Sequence, residues 1–424
     1  MSFVARSCDT FVVFPPCTDS HFIIFGKNSD RPSNEIQEVI LVAPNQRSED
    51  TVEVRFCYFL FINTRRYFNL QCTHIKIPTA KTYHCILSKP AWCWGAEMGS
   101  NEYGVCVGND AVHTKIPYDG REPALTGLDI VRLAIERSKT ADDAMKTICD
   151  LIETYGQGGS CFDVATNLPS GYDNSFIVVD QTGGWIIETA DRVWVAKKLT
   201  EGYHSISNVL TIGTDYDLTS KNLEKFAQEI HLWNGSGKLD FAKTFQDPSS
   251  CSDLRLKNGR KLLEKLTANN TFSALDMMAV LRDEQSGICM SDKTDSFLTT
   301  GSQVSVLKTG DDKKKFSHCH FFTATPNPKT SLFKPFIFSK KAEIGILTIS
   351  PPSQVESTRA HPLYVAHRDL TKTQLKEKRL EDFERDGVKE LLAKLKSDDE
   401  ENIEDILSLF HDAVSAEMEL LDSP

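Results

Sequence analysis

The chain has 424 residues, with 48 Lys and Arg against 59 Asp and Glu, so it carries a net charge of −11. That balance argues against nucleic acid as a principal partner, because a groove that tracks phosphates needs a positive field. With 40% hydrophobic and 25% charged residues and no run of 18 apolar residues, the composition is that of a globular chain without stable membrane insertion.

Residues 1–7 hold one Arg and no apolar region of signal-peptide length, and the apolar run ending at Phe14 is stopped by Pro15 and Pro16. The 12 cysteines are therefore read as reduced thiols of a cytoplasmic protein, most of them in the core.

In chain order, short runs rich in β-branched and aromatic residues predict strands over 10–14, 21–25, 39–42 and 104–107. The period then changes, and Leu128, Val131, Leu133, Ala134 and Ile135 predict a helix. A second helix is expected over 141–155, with Thr140 and Asp143 as an approximate capping box and Gly156 as its stop. Strands return over 175–179, 185–189 and 193–196, joined by turns at 180–184 and 190–192. Helices are expected over 218–232, 255–266 and 273–282, followed by strands over 303–307, 318–323 and 336–338. The pattern describes an α+β protein with antiparallel sheets covered by helices.

The core, 8–349, is expected to close before a Pro/Ser-rich linker at 350–361, and 362–424 reads as a charged helical tail. Leu370, Leu375, Leu380, Phe383, Val388, Leu391 and Leu395 make an apolar seam, continued by Ile403, Ile406, Leu407 and Phe410. Such a seam serves either a helical hairpin packed on the core or a protein partner.

The sequence holds no phosphate loop, no H-E-x-x-H and no C-x-x-C pair, so neither a cofactor nor a metal is expected. His318 and His320 share a face of a predicted strand, and two imidazoles without a third ligand read as packing rather than a metal site. Gly156, Gly158 and Gly159 follow a helix rather than a strand, which makes them a helix stop and turn instead of a dinucleotide loop. Trp92, Trp94 and Glu97 read as core and surface groups of a strand end.

The N-terminal region carries more chemistry. Cys8 precedes an apolar strand, and one hairpin later comes Gly26-Lys27-Asn28-Ser29-Asp30-Arg31. Removal of residues 1–7 as a prosegment would give Cys8 both a thiol and a free α-amine. An amine with a pKa of about 8 can accept a proton from a thiol near 8.5, so one residue supplies base and nucleophile. Lys27 and Asp30 on the hairpin would favour thiolate and orient the amine. The competing reading is a buried structural Cys8 beside a polar turn.

The strings S-C-D-T-F-V, F-G-K-N-S-D-R, E-I-Q-E-V and K-P-A-W-C-W-G-A-E-M-G-S-N-E-Y-G-V-C-V-G-N resemble the secernin family. The likeness continues through G-L-D-I-V-R-L-A-I-E-R, L-I-E-T-Y-G-Q-G-G, I-S-N-V-L, F-L-T-T, H-F-F-T-A-T-P-N-P, F-K-P-F-I-F and R-A-H-P-L-Y. Secernins in turn resemble cysteine dipeptidases of the N-terminal-nucleophile hydrolases. The resemblance implies a four-layer αββα sandwich with a C-terminal helical extension.

It also implies Cys8 as catalytic nucleophile, Asp30 as its carboxylate contact and Asn208 as part of an oxyanion hole. Lys27 stands where related amidases have Arg, which exchanges a planar fork for a point charge. Asn109 and Arg255 are implied as substrate-binding positions, Asn109 through either its side chain or its backbone.

The aromatic and basic segment at 56–71 departs from the family pattern and is expected either to add a strand or to stay exposed. Two functions follow from the resemblance. One is hydrolysis of a small peptide or amide through Cys8; the other is a binding regulator of exocytosis acting through the C-terminal helices.

Overall fold

A computed structural model describes residues 8–18, 21–44, 51–59, 70–78, 80–118, 120–163, 171–249, 252–291, 296–310, 318–339, 341–351, 359–368, 374–397 and 408–422. For 51–59, 70–74, 374–380, 394, 396 and 397 the description is of backbone only. The expectations for 1–7, for 60–69 and for the 352–358 part of the linker lie outside the described residues, as do those for Leu370, Ile403, Ile406 and Leu407.

The chain begins with strands β1 (Asp9–Val13), β2 (Phe22–Pro32), β3 (Gln37–Val42), β4 (Thr51–Phe59), β5 (Leu70–Pro78), β6 (Cys85–Pro90), β7 (Met98–Asn101) and β8 (Cys106–Val112). Helices α1 (Gly127–Arg137) and α2 (Ala141–Tyr155) follow. Next come β9 (Asp173–Asp180), β10 (Gly183–Ala190), β11 (Val193–Leu199), β12 (Tyr203–Ile206) and β13 (Leu218–Thr219). Then come α3 (Leu223–Glu229), α4 (Phe241–Phe245), α5 (Leu254–Thr267) and α6 (Ala274–Leu281). The described chain ends with β14 (Phe297–Lys308), β15 (His318–Phe322), β16 (Lys334–Phe336), α7 (Pro362–Arg368), α8 (Gln374–Ser397) and α9 (Leu409–Asp422).

Two antiparallel sheets form the centre, ordered β12-β1-β2-β14-β15-β16 and β13-β11-β10-β9-β8-β7-β6-β3. The two-residue period of a strand assigns each side chain to a layer. Val12, Phe14, Ile23 and Phe25 of the first sheet meet Cys106, Ile177, Val179 and Val195 of the second. Their neighbours Phe11, Val13 and Ile24 face Leu263 of α5 and Met277 and Met278 of α6. On the far side of the second sheet, Val105, Val107, Val178 and Ile187 pack on Ile130, Leu133, Ile148 and Ile152 of α1 and α2. The order is helix, sheet, sheet, helix, the α+β sandwich implied by the sequence.

Local chemistry sets the helix ends. Thr126 with Asp129 and Ser273 with Asp276 make full capping boxes on α1 and α6. Thr140 caps α2 by accepting from the Asp143 N–H, but Asp143 reaches back to the Lys139 N–H, so that box is only half formed. Gly156, at φ +78, ends α2 in a conformation that disfavours side chains.

The helix expected over 218–232 is shorter. Leu218 and Thr219 pair with Ala196 and Val195 at the sheet edge, and the helix starts only at Leu223. Edge pairing outweighs helical spacing there. The last strand lies over Lys334–Phe336, two residues before its expected position.

Strands β4 and β5 pair with each other as a separate ribbon, so the described parts of the 56–71 segment, 56–59 and 70–71, widen neither main sheet. Ile75 and Ile77 at the ribbon's base pack on the helix-side core.

The C-terminal helices pack on the core. Val388, Leu391 and Leu395 join Phe321 and Phe333, while Phe410 and Val414 join Phe322 and Phe336. Phe383, assigned to the apolar seam, is instead 51% exposed. Buried carboxylates fix the attachment: Glu384 takes Arg282 in a fork of 2.7 and 2.9 Å, and Glu417 takes Lys334 at 2.5 Å and His367 at 3.0 Å.

Candidate active site

Cys8 stands one residue before β1, at the end of the ladder in which Asp9 faces Asn28 and Thr10 faces Lys27. Its φ of +69 lies in the left-handed region, uncommon for a residue with a Cβ. Its backbone N–H donates to Asp30 Oδ2 at 3.0 Å, and its thiol donates to Glu97 Oε2 at 3.6 Å. Residue 8 is 4% exposed.

Asp30 is held from its other oxygen as well. It faces Thr299 across the β2–β14 ladder, and Thr299 Oγ1 donates to Asp30 Oδ1 at 2.5 Å. The ladder shifts register between Thr299 and Gly301, the kind of local irregularity that re-aims a side chain. Thr299 is itself fixed, its hydroxyl accepting from the Met290 N–H at 2.9 Å.

Lys27 points between the sheets, on the same face as Phe25. Its stem crosses β8 at Gly108, where a Cβ would stand 2.6 Å from Lys27 Cδ, so only glycine admits it. The ammonium donates to Asn109 O at 2.6 Å and lies 3.5 Å from Asp110 Oδ1 and 3.7 Å from Glu97 Oε2. Arg31, four residues on and on the same strand face, reaches Glu97 Oε1 at 3.0 Å, Glu35 at 2.8 Å and Cys161 O at 2.6 Å.

Arg255, on the first turn of α5, donates through Nη2 to Cys8 O at 3.1 Å and to Asn208 Oδ1, and its Nε lies 3.2 Å from Asp9 Oδ2. One guanidinium thus ties Cys8 to Asn208. Asn208 Nδ2 donates to Ala111 O at 2.9 Å. Asn109 gives its carbonyl to Lys27, while its amide nitrogen turns to Asn174 Oδ1 at 2.8 Å on β9. The structure therefore gathers Cys8, Asp30, Lys27, Arg255 and Asn208, and brings Asn109 in through its backbone.

Four buried carboxylates crowd this volume, and burial penalises each charge. Burial lifts Asp9 to about 7 against the pull of Arg255, and Asp110 to about 6 against Lys27 and the Thr10 hydroxyl. Asp30 is raised by burial despite Arg255, Thr299 and the Cys8 N–H. Burial pushes the Cys8 thiol well up; Lys27 opposes this, while Glu97, Asp110 and Asp30 add to it. For Lys27, burial works against the charge, but Cys8, Asp110 and Glu97 outweigh it and raise the pKa. With its nitrogen in a peptide bond, Cys8 is held as a neutral thiol.

Glu97, Asp110, Asp9, Arg31 and Thr299 belong to this cluster although the sequence did not single them out for it. Glu97, read as a strand-end group, is 1% exposed and touches the thiol. One signal was present: Lys27 and Arg31 follow Ile23 and Phe25 on one face of a single strand, and buried cations demand carboxylates.

His318 and His320 bond to each other at 2.8 Å, and His320 to Ser305 at 2.8 Å. Burial lowers both, His318 to about 4, which makes them neutral packing groups. Among the described residues no group of three His, Cys, Asp or Glu is placed to hold a metal. No described helix is long and apolar enough to cross a membrane.

No family model matches the chain. Among solved structures it is similar to a Caenorhabditis elegans N-acylethanolamine-hydrolyzing acid amidase ortholog, at 13% identity and a TM-score of 0.37, over 70% of this chain and 92% of that one. It is also similar to a mutant of conjugated bile acid hydrolase from Clostridium perfringens, at 11% identity and a TM-score of 0.40, over 80% and 99% of the two chains. A second variant of that hydrolase gives 11% identity and a TM-score of 0.39 over the same shares. At these values the functional argument rests on the residues of this chain.

Proposed function

We propose that the protein is a cysteine amide hydrolase of dipeptidase type, acting on a small peptide or amide after residues 1–7 are removed. The observation that carries this reading is the two-sided hold on one residue: Cys8 N on Asp30 and Cys8 Sγ between Glu97 and Lys27. Release of the nitrogen turns an amide N–H into an amine whose ammonium form Asp30 would retain.

In the cycle, the α-amine takes the thiol proton and Sγ attacks the substrate carbonyl. Asn208 and neighbouring N–H groups stabilise the oxyanion, a contribution of about 3 kcal/mol for a preorganised donor. The C–N bond breaks, the ammonium protonates the leaving amine, and water opens the thioester to free acid and thiol. Arg255, by holding Cys8 O and Asn208 Oδ1, keeps nucleophile and oxyanion donor in register. Turnover of a dipeptide panel by the wild type and by Cys8→Ala tests this, and equal turnover by both would refute it.

A second reading, a binding regulator of exocytosis, is favoured by one feature. A largely apolar cavity of about 360 Å³ lies between α8, α9 and the β15–β16 edge, with Phe383 exposed at its rim. Deleting the tail would strand Lys334 and Arg282 in the core, so the cleaner test is Phe383→Ser. Loss of a secretion phenotype in that variant, with Cys8→Ala neutral, would support regulation; the reverse would refute it.

A further inference from the structure

We infer that Glu97 is the catalytic base for removal of residues 1–7. The inference rests on the reading of Cys8 as a nucleophile that matures, and it concerns the step before any substrate is met.

The argument starts from the proton. In the mature site the α-amine of Cys8 can take the thiol proton, but before cleavage that nitrogen is an amide and cannot. Some other group must accept it. The acceptor the thiol faces is Glu97 Oε2, at 3.6 Å. Lys27 and Arg31 aim that carboxylate, Arg31 at 3.0 Å on the opposite oxygen and Lys27 at 3.7 Å on the oxygen facing sulfur. All three side chains are 2% exposed or less, so bulk water does not compete for the position.

Two further observations converge on the bond before Cys8. The residue sits at φ +69, a dihedral that exists only while residue 7 is attached, so cleavage releases strain. Its nitrogen already donates to Asp30 Oδ2, the carboxylate that would hold the amine once it is released.

The step balances. Glu97 takes the Sγ proton, Sγ adds to the carbonyl of residue 7, and the C–N bond breaks. The Cys8 nitrogen leaves with the proton that Glu97 took, and water cleaves the thioester, returning a proton to Sγ. The products are the free carboxylate of residues 1–7 and a free Cys8. After that, the amine can replace Glu97 as proton acceptor.

The test follows loss of residues 1–7 by intact mass in the freshly folded full chain. A general base contributes about 10²- to 10⁴-fold, so Glu97→Gln is expected to slow cleavage at least a hundredfold. Glu97→Ala should recover part of that rate in added formate. In a parallel full chain, residues 2–7 are replaced by the site of an added protease that cuts just before residue 8. There, added protease should free Cys8 from Glu97→Gln as completely as from its parent, read by intact mass, which separates slow self-removal from loss of folding.

Cleavage of Glu97→Gln at the wild-type rate would overturn the inference, as would loss of folding in Glu97→Gln together with no formate effect on a folded Glu97→Ala. Retention of residues 1–7 by the wild type, with activity only after added protease, would overturn self-removal while leaving Cys8 hydrolysis standing. Inactivity of the protease-cut parent would instead sink the hydrolase reading.

Discussion

Two buried charge clusters in this molecule use the same parts to different ends. Beneath the C-terminal helices, Lys334 sits at 0% exposure on Glu417, which also takes His367 and the Leu332 N–H. Beside Cys8, Lys27 sits at 0% exposure among Glu97, Asp110 and the thiol. In the first cluster charges and donors match: burial would raise Glu417, yet Lys334 and His367 outweigh it and bring the carboxyl below its usual range. In the second, carboxylates outnumber cations, and Asp9 and Asp110 are lifted. A matched cluster is a fastener. An acid-rich one costs stability and holds protons ready to move, the condition expected of a catalytic site.

The comparison can be broken hardest at Cys8. Cys8→Ala should lower amide turnover by at least about 10³-fold, because no other group supplies the nucleophile, while leaving the melting temperature of the folded chain nearly unchanged. A stable but fully active variant would remove the second cluster from catalysis.

Lys334→Met attacks the fastener. It leaves Glu417 buried with one partner fewer and should destabilise the fold by about 3–5 kcal/mol, read by denaturant melts. Pairing it with Glu417→Leu should recover most of that loss, and failure to recover would mean the cluster does more than hold the tail.

Asn208→Ala should cost about 10²- to 10³-fold in kcat with little change in KM if its amide meets the oxyanion. An equal change in both would place it in ground-state binding.

The smallest effect concerns pH. Asp9, Asp110 and Glu188 have folded pKa values of about 7, 6 and 7, above their unfolded values. The native state therefore binds more protons, and these groups make stability fall as pH rises from about 4 to 7. Glu188 lies apart from Cys8, accepting from the Thr211 and Ile212 N–H groups. Glu188→Gln should flatten that slope without touching turnover. An unchanged slope would mean burial is not what holds its proton.

Much of this architecture was legible because it is periodic. Alternation in β1 and β2 placed Val12 and Phe25 on one face and Phe11 and Ile24 on the other, and Thr140 and Gly156 marked the ends of α2. The pairing of Cys8 with Asp30 was legible from spacing across one hairpin. Glu97 was not, because it comes from β7's approach in the other sheet, and a lone Glu beside tryptophans carries no sign of the lysine it will meet. The β13 edge was lost for a related reason: Leu218 and Thr219 are strand only because β11 offers them partners. What a single sequence conceals here is contact between sheets.

The most direct test mixes the purified protein with an amide or ester substrate, quenches within the first turnovers and weighs the N-terminal peptide. The account predicts a peptide that begins at Cys8 and carries the substrate's acyl group as a thioester. A peptide that keeps residues 1–7 and gains no acyl mass while product accumulates would contradict it.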